Sequence, residues 1–109
     1  MSAYTASAPT RAEVDALPGG TIIEFGTNWC GFCSAAQPLI AAGLRDIEAS
    51  HPGLRHLKIE DGPGRALGRS FKVKLWPTLI FIKDGREITR VVRPASAQAV
   101  SEAARQIVA

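Results

Sequence analysis

The chain has 109 residues and only two cysteines, Cys30 and Cys33, which lie three positions apart. The segment before the pair, 21–26, is apolar and typical of a strand, and the Ala-rich segment after it is typical of a helix. Residues three apart lie on one face of a helix, so the two sulfurs can close a disulfide without large backbone movement. The unpaired N–H groups and the dipole of a helix start favour a thiolate at Cys30. The spacing and its context therefore predict a redox-active cysteine pair.

The length and composition predict a single domain over 1–109. Residues 1–9 are expected to be loosely ordered, apart from a short edge strand near Ala3 to Thr5. Hydrophobic residues make up 46% of the chain and charged residues 21%, which indicates a globular protein rather than a disordered one. A bridge between Cys30 and Cys33 would restrict the unfolded chain very little. The pair is therefore expected to be chemical rather than structural.

The charge distribution argues against a nucleic-acid partner, and the hydropathy of the chain argues against a membrane partner. The net charge is only +3 and the basic residues are scattered rather than gathered into a stripe, so no nucleic-acid binding is predicted. No apolar run approaches the ~20 residues of a membrane span, and the N-terminus lacks the pattern of a secretory signal. We expect a cytoplasmic protein, since that compartment keeps thiols mostly reduced. No feature of the sequence requires an oligomer, so we expect a monomer.

The order of the predicted elements defines an α/β fold. The first strands alternate with helices, which predicts a parallel pair with a right-handed crossover. Asp84 and Gly85 form a two-residue hairpin signal that adds an antiparallel strand. The result is a mixed central sheet flanked by helices on both faces. The predicted helices cover 10–17, 30–50, 65–71 and a segment capped by residue 96, and the predicted strands cover 21–26, 54–59, 78–82 and 87–93.

The two cysteines are expected to play different parts. Cys30, at the start of the helix, is predicted to be the more exposed sulfur and to attack a substrate disulfide, forming a mixed disulfide. Cys33, one turn further on, is predicted to resolve that intermediate by attacking Cys30. Gly31 between them would let the backbone of a partner come close. The alternative, two buried and inert cysteines, does not account for the strand and helix on either side.

Glu24 interrupts the apolar strand that precedes the cysteines. If that strand is central, Glu24 is buried, and burial disfavours an ionised carboxylate, which predicts a raised pKa. A buried acid near the cysteine pair can act as the proton acceptor for the resolving thiol of Cys33. If the strand instead lies at an edge of the sheet, Glu24 faces water.

Three aromatic residues and a proline are candidates for substrate binding. Trp29, Phe32 and Trp76 could form an apolar rim that binds extended polypeptide, or the two tryptophans could be packing residues. Pro77 cannot donate to a sheet and must lie at the entrance of the strand that begins with Thr78. Only about 5–6% of X–Pro bonds are cis, so physical chemistry alone leaves the Trp76–Pro77 bond unassigned.

A zinc site is the metal alternative. Cys30, Cys33, His51 and His56 have a C-x2-C-x17-H-x4-H spacing that superficially fits zinc. A zinc finger needs both histidines on one continuous helix, but a Pro-Gly pair lies between them. We therefore expect no metal and no cofactor, with His51 at a helix end and His56 on the surface of a strand.

Taken together, these residues resemble the thioredoxin family. The resemblance runs from about residue 10 to the end of the chain, and its specific part is a Cys-Gly-x-Cys site followed later by Pro-Thr. The matching residues are Ile22 to Phe25, Trp29 to Cys33, Pro38, Lys58, Trp76 to Thr78 and Lys83 to Gly85.

The resemblance implies the thioredoxin fold and disulfide exchange on protein substrates, with a dithiol reductant such as a thioredoxin reductase as partner. It implies that Cys30 is the nucleophile and Cys33 the resolving cysteine, and that Pro77 is a cis proline facing the pair. Glu24 matches the family's buried aspartate, and Lys58 matches the lysine near it. The residues expected at the substrate are Trp29, Gly31, Phe32, Trp76, Pro77 and Thr78.

Five positions depart from the family pattern. Phe32 replaces the usual proline between the cysteines, and Glu24 is one methylene longer than aspartate. Gly26 stands where an aromatic residue is usual, Arg93 where a glycine near the substrate groove is usual, and Trp76 is bulky for its position. The leading hypothesis is a protein-disulfide reductase. A disulfide oxidase or isomerase, and a non-catalytic binding or redox-sensing module, are the alternatives.

Overall fold

The computed structural model describes residues 3–108. The predicted order of elements is confirmed, with ends that differ from the prediction by a few residues. The helices are α1 (Arg11–Asp15), α2 (Gly31–Ser50), α3 (Ala66–Ser70) and α4 (Ala97–Arg105), and the strands are β1 (Gly20–Gly26), β2 (Arg55–Glu60), β3 (Thr78–Lys83) and β4 (Arg86–Val92).

The four strands form one mixed sheet in the order β2-β1-β3-β4. β1 and β2 are parallel and α2 connects them, whereas β3 runs antiparallel to both β1 and β4. β1 is therefore an inner strand, and Glu24 lies between Lys58 of β2 and Leu79 of β3. The alternative in which Glu24 sits on an edge strand is wrong.

The core has two halves, one on each face of the sheet. Successive residues of a strand point to opposite faces, so Ile22 packs with α2 and α4 while Ile23 packs with α1 and α3. Glu24, two residues after Ile22, is on the α2 side. The first half also contains Ala36, Ile40, Leu44, Leu79, Phe81 and Val100, and the second contains Val14, Phe25, Leu67, Phe71, Ile80 and Ile82.

Local signals in the sequence set the ends of the elements. Thr10 and Glu13 form a capping box at the start of α1, and the hydroxyl of Ser96 accepts a hydrogen bond at the start of α4. At the hairpin between β3 and β4, Asp84 and Gly85 both have positive φ, 51° and 80°, as a tight two-residue turn requires.

The segment before α1 docks on the outer side of β2. Thr5 forms a parallel bridge with Ile59, and its carbonyl accepts from the N–H of Glu60 at 2.8 Å. The side chain of Asn28 bonds both the N–H and the carbonyl of Tyr4, whose side chain is 6% exposed. The edge strand predicted near Ala3 to Thr5 is present only as this single bridge, and the hydrogen bonds described here hold Tyr4 and Thr5 in place. Residues 1 and 2 lie outside the described range.

Candidate active site

The two cysteines lie at the start of α2 as free thiols. Cys30 is the N-cap residue, and its Sγ accepts a hydrogen bond from the backbone N–H of Cys33 at 3.2 Å. Cys30 is partly exposed, whereas Cys33 is 1% exposed. Burial, and after it the hydrogen bond with Cys30, raises the pKa of the Cys33 thiol to about 11. Cys33 therefore needs a proton acceptor if it is to react as a thiolate near neutral pH.

A tyrosine from the N-terminal segment lies directly behind Cys33. A Cβ placed on Gly26 would come within 2.7 Å of Cys33 Sγ and 2.8 Å of Tyr4 Cζ. The Tyr4 ring therefore occupies the space that a side chain at position 26 would need. The resemblance puts an aromatic residue at that position, and here the aromatic ring comes instead from another part of the chain.

Glu24 is completely buried, with 0% of its surface exposed. The Tyr4 hydroxyl donates a short hydrogen bond to its Oε2, Gln37 Nε2 donates to the same oxygen at 2.9 Å, and His56 Nε2 lies 2.9 Å from Oε1. Burial by itself would raise the pKa of Glu24, but the hydrogen bonds with His56, Tyr4 and Gln37 outweigh burial and lower it. The prediction of a raised pKa is wrong because these three partners stabilise the ionised form.

Lys58 lies close to the buried acid, as the resemblance implies. It is the register partner of Glu24 on β2, and its Nζ donates to Gln37 Oε1 at 2.9 Å. The same Nζ lies 4.7 Å from the centre of the Tyr4 ring. Lys58 thus reaches Glu24 through Gln37 and helps to orient the amide that donates to it.

His56 is not the surface residue that the sequence predicted. Its side chain is 20% exposed, and its two nitrogens lie 2.9 Å from Glu24 Oε1 and 4.0 Å from Glu48 Oε2. Gln37 was not among the residues predicted for the site. Its position one turn after Cys33, on the same face of the helix, was a signal that could have identified it. Tyr4 lies 20 residues from Glu24 and is placed by the Thr5–Ile59 bridge and by Asn28, so no local signal in the sequence identified it.

The exposed side of the cysteine pair is apolar. Trp29 is 73% exposed and Phe32 is 60% exposed, so Trp29 is not a packing residue. Trp76 is partly buried, and its Nε1 donates to Asp61 Oδ2 at 2.9 Å. A Cβ on Gly31 would meet no atom within 4 Å, which leaves open space above the pair.

The Trp76–Pro77 bond is cis, as the resemblance implies. The N–H of Arg93 donates to the Pro77 carbonyl at 2.9 Å, and Arg93 Nε donates to the Trp76 carbonyl at 2.8 Å. The guanidinium of Arg93 also stacks on Phe32, 3.7 Å from the ring centre. Thr78, which starts β3, is buried and donates to the Leu75 carbonyl. Arg93 therefore links the turn before β3 to the residue between the cysteines.

The zinc alternative finds no support in the arrangement of the histidines. Within residues 3–108, no group of three or more His, Cys, Asp or Glu side chains is placed to hold a metal ion. His51 caps the end of α2, while His56 is engaged with Glu24. Across the same residues, none of the helices has the length and apolar character that crossing a membrane requires.

The fold and the site together define a class. A mixed sheet covered on both faces, a cysteine pair at the start of the crossover helix and a cis proline before an inner strand are the features of a thioredoxin-fold protein with a vicinal dithiol. The thioredoxin family model matches residues 5–106, and the chain belongs to this family.

Known relatives agree with this assignment. The chain is 58% identical to a thioredoxin 2 of Pseudomonas aeruginosa solved in its reduced form, with a TM-score of 0.76 over 94% of this chain and 91% of that one. It is 35% identical over 74 residues to a thioredoxin of Chlamydia caviae, covering 68% of this chain and 69% of the relative. It is 34% identical over 71 residues to an H-type thioredoxin of Nicotiana tabacum, covering 65% and 53%. The chain thus spans about half the length of the plant H-type relatives that it matches.

Proposed function

We propose that this chain is a thiol–disulfide oxidoreductase that reduces disulfide bonds in proteins through Cys30 and Cys33. The observation that carries the proposal is the asymmetry of the pair: Cys30 is partly exposed at the N-cap of a 20-residue helix, whereas Cys33 is buried. The Gln37 amide donates both to the Cys33 carbonyl and to the buried acid Glu24. An exposed thiol can meet a protein disulfide, and a sheltered second thiol is available to release it.

In the proposed reaction, the Cys30 thiolate attacks one sulfur of the substrate disulfide. That bond breaks, a mixed disulfide with Cys30 forms, and the other substrate sulfur leaves as a thiolate that takes up a proton. Cys33 then gives its proton to Glu24 and attacks Cys30 Sγ, which expels the second substrate thiolate. The second substrate thiolate also takes up a proton from solvent. The substrate therefore gains two electrons and two protons, which balance the protons that Cys30 and Cys33 lose, and the protein keeps the Cys30–Cys33 disulfide.

The surface around Cys30 supports binding of an extended polypeptide. Trp29 and Phe32 offer exposed apolar area, and Gly31 leaves room for a backbone to approach. We assign the turn formed by Trp76, Pro77 and Thr78 to the same surface because Arg93 bonds the carbonyls of Trp76 and Pro77 and also stacks on Phe32. Trp76 is the partly exposed residue of this turn, whereas Pro77 and Thr78 are buried beneath it.

A reductase must be recycled, and we propose a dithiol reductant such as a thioredoxin reductase as the electron donor. We also propose that the protein works in the cytoplasm as a monomer. Support for the compartment comes from the cysteine content, since the chain has no cysteines apart from the pair and needs no oxidising environment to fold. Size-exclusion chromatography of the reduced chain tests the oligomeric state.

Trapping experiments test the assignment of the cysteines. Cys33→Ser should accumulate mixed disulfides with protein substrates, because the resolving thiol is lost, and Cys30→Ser is the matched control that should trap none. The reverse pattern would exchange the two roles.

The reduction potential of the Cys30–Cys33 pair tests whether the protein reduces or oxidises its substrates. A value near roughly −270 mV fits a reductase, while roughly −120 to −180 mV would indicate the oxidase or isomerase instead.

A further inference from the structure

Glu24 has no contact with solvent, yet the proposed reaction loads a proton onto it in every cycle. Any proton that reaches or leaves this carboxylate must pass through its hydrogen-bond partners. On the basis of the proposed function, we propose that Tyr4 and His56 relay protons to and from Glu24. The first half of this path runs from Cys33 through Tyr4 to Glu24, and the second half runs from Glu24 through His56 to the groove between α2 and β2.

The entry side of the path is the Tyr4 hydroxyl. The hydroxyl donates its hydrogen to Glu24 Oε2, so its oxygen can still accept hydrogen bonds. It accepts one from Gln37 Nε2 at 3.3 Å. A Cβ on Gly26 would lie 2.7 Å from Cys33 Sγ and 2.9 Å from the Tyr4 hydroxyl oxygen, so these two atoms flank the same point. The hydroxyl is thus bonded to the carboxylate and lies near the thiol.

The chemistry of Tyr4 fits a relay rather than a base. Its burial, and after that the charge of Glu24, raises the pKa of Tyr4, so tyrosinate does not form during the reaction. A neutral hydroxyl can still accept the Cys33 proton while it passes its own proton to Glu24 Oε2. The net change is one proton moved from sulfur to carboxylate, with Tyr4 unchanged.

The exit side is His56, which contacts the other carboxylate oxygen. Its Nε2 lies 2.9 Å from Glu24 Oε1, and its Nδ1 faces Glu48 Oε2 at 4.0 Å. Glu48 is exposed, and both residues line a groove of about 520 Å³ between α2 and β2. The imidazole therefore connects the buried acid to solvent.

The two halves of the path meet at the Glu24 carboxyl group, which contacts Tyr4 through Oε2 and His56 through Oε1. When the Cys33 proton has reached Glu24, His56 takes up a proton from the carboxyl group at Nε2 and gives one from Nδ1 to the groove. One proton leaves the site, and the number of protons on His56 is unchanged. The titratable groups that face this pair are Tyr4 and Cys33 on the inner side, Glu48 on α2, and Lys58, which acts through Gln37.

Stopped-flow reaction of the reduced chain with 5,5′-dithiobis(2-nitrobenzoate) separates the two thiols. Attack by Cys30 releases the first thionitrobenzoate, and attack by Cys33 on the mixed disulfide releases the second. Tyr4→Phe should slow the second release about tenfold or more at neutral pH, the lower end of what positioned proton transfer contributes. The loss should shrink as the pH approaches about 11, where Cys33 ionises without help.

His56→Gln tests the exit, since glutamine still offers an N–H to Glu24 but cannot take up a proton on one side and release one on the other. It should slow the second release, and added imidazole should restore the rate. His51→Gln is the matched control, because His51 lies at the exposed end of α2, and it should behave as the unmodified chain. Circular dichroism and thermal unfolding establish that each variant is folded.

Two results would overturn the proposal. If Tyr4→Phe leaves the rate and pH profile of the second release unchanged, the Cys33 proton does not pass through Tyr4. It would instead leave through the small pocket that Cys33 lines together with Thr27 and Ser34. A His56→Gln variant with full speed and no response to imidazole would remove the exit. Failure of the proposed function is a separate outcome: the unmodified chain would give both phases with this reagent but would not reduce insulin.

Discussion

Gly26→Ala should damage both the stability of the fold and the environment of Cys33. The new Cβ would lie 2.7 Å from Cys33 Sγ, 2.8 Å from Tyr4 Cζ and 2.9 Å from the Tyr4 hydroxyl. All three distances are shorter than non-bonded carbon contacts allow, and Cys33 is held in α2, so Tyr4 must give way. Overpacking of a core costs about 1–3 kcal/mol, and a hydrogen bond to a charged group contributes about 1.5–3 kcal/mol. We expect a loss of about 2–3 kcal/mol in the free energy of unfolding.

Urea and thermal unfolding measure this loss. For a chain of this size, a loss of 2–3 kcal/mol corresponds to a Tm lower by about 10 °C or more. Gly31→Ala is the matched control, because a Cβ at Gly31 meets nothing within 4 Å and alanine favours the helix, so its Tm should be equal or slightly higher. In a Tyr4→Ala background, the penalty of Gly26→Ala should shrink, since two of the three contacts disappear. An unchanged Tm for Gly26→Ala would refute this account of the packing behind Cys33.

Two further substitutions test the charged groups of the site. The lowered pKa of Glu24 means that its ionised form stabilises the fold above the ordinary value of 4.5 and that this contribution is lost as the pH falls through the lower folded value. The difference in unfolding free energy between the unmodified chain and Glu24→Gln should therefore narrow from pH 5 to pH 3, and a constant difference would contradict the lowered pKa. Arg93 has a φ of 49°, so Arg93→Gly should be more stable than Arg93→Ala by about 1 kcal/mol, although both lose the contacts with Phe32 and Trp76. Equal unfolding free energies would show that the backbone at this position carries no strain.

The elements of the fold were predictable because each one has a local signal. These signals act over a few residues, and the structure confirms them: Thr10 and Ser96 cap α1 and α4, and Asp84 lies in the hairpin turn. The cysteine pair was predictable for the same reason, since its spacing and the flanking strand and helix lie in one continuous stretch.

The surroundings of Glu24 were harder to predict because they are assembled from distant segments. Burial was correctly inferred from the apolar neighbours of Glu24, but the direction of its pKa depends on Tyr4, Gln37 and His56, which lie 20, 13 and 32 residues away. Only the register of β1 with β2 and the docking of the N-terminal segment bring them together. A pattern within one strand can reveal a buried acid, but it cannot reveal the donors that stabilise its charge.

The bridge between Thr5 and Ile59 also bears on the solubility of the protein. β2 forms one margin of the sheet, and an unpaired margin offers backbone N–H and carbonyl groups to the strands of other molecules. The segment that carries Tyr4 covers part of that margin. Any change that detaches it, such as proteolysis or a bulky fusion at this end, should expose the strand to self-association and remove Tyr4 from Cys33 in the same event. Aggregation and slow thiol exchange are therefore expected to appear together, and a purification tag is better placed after α4.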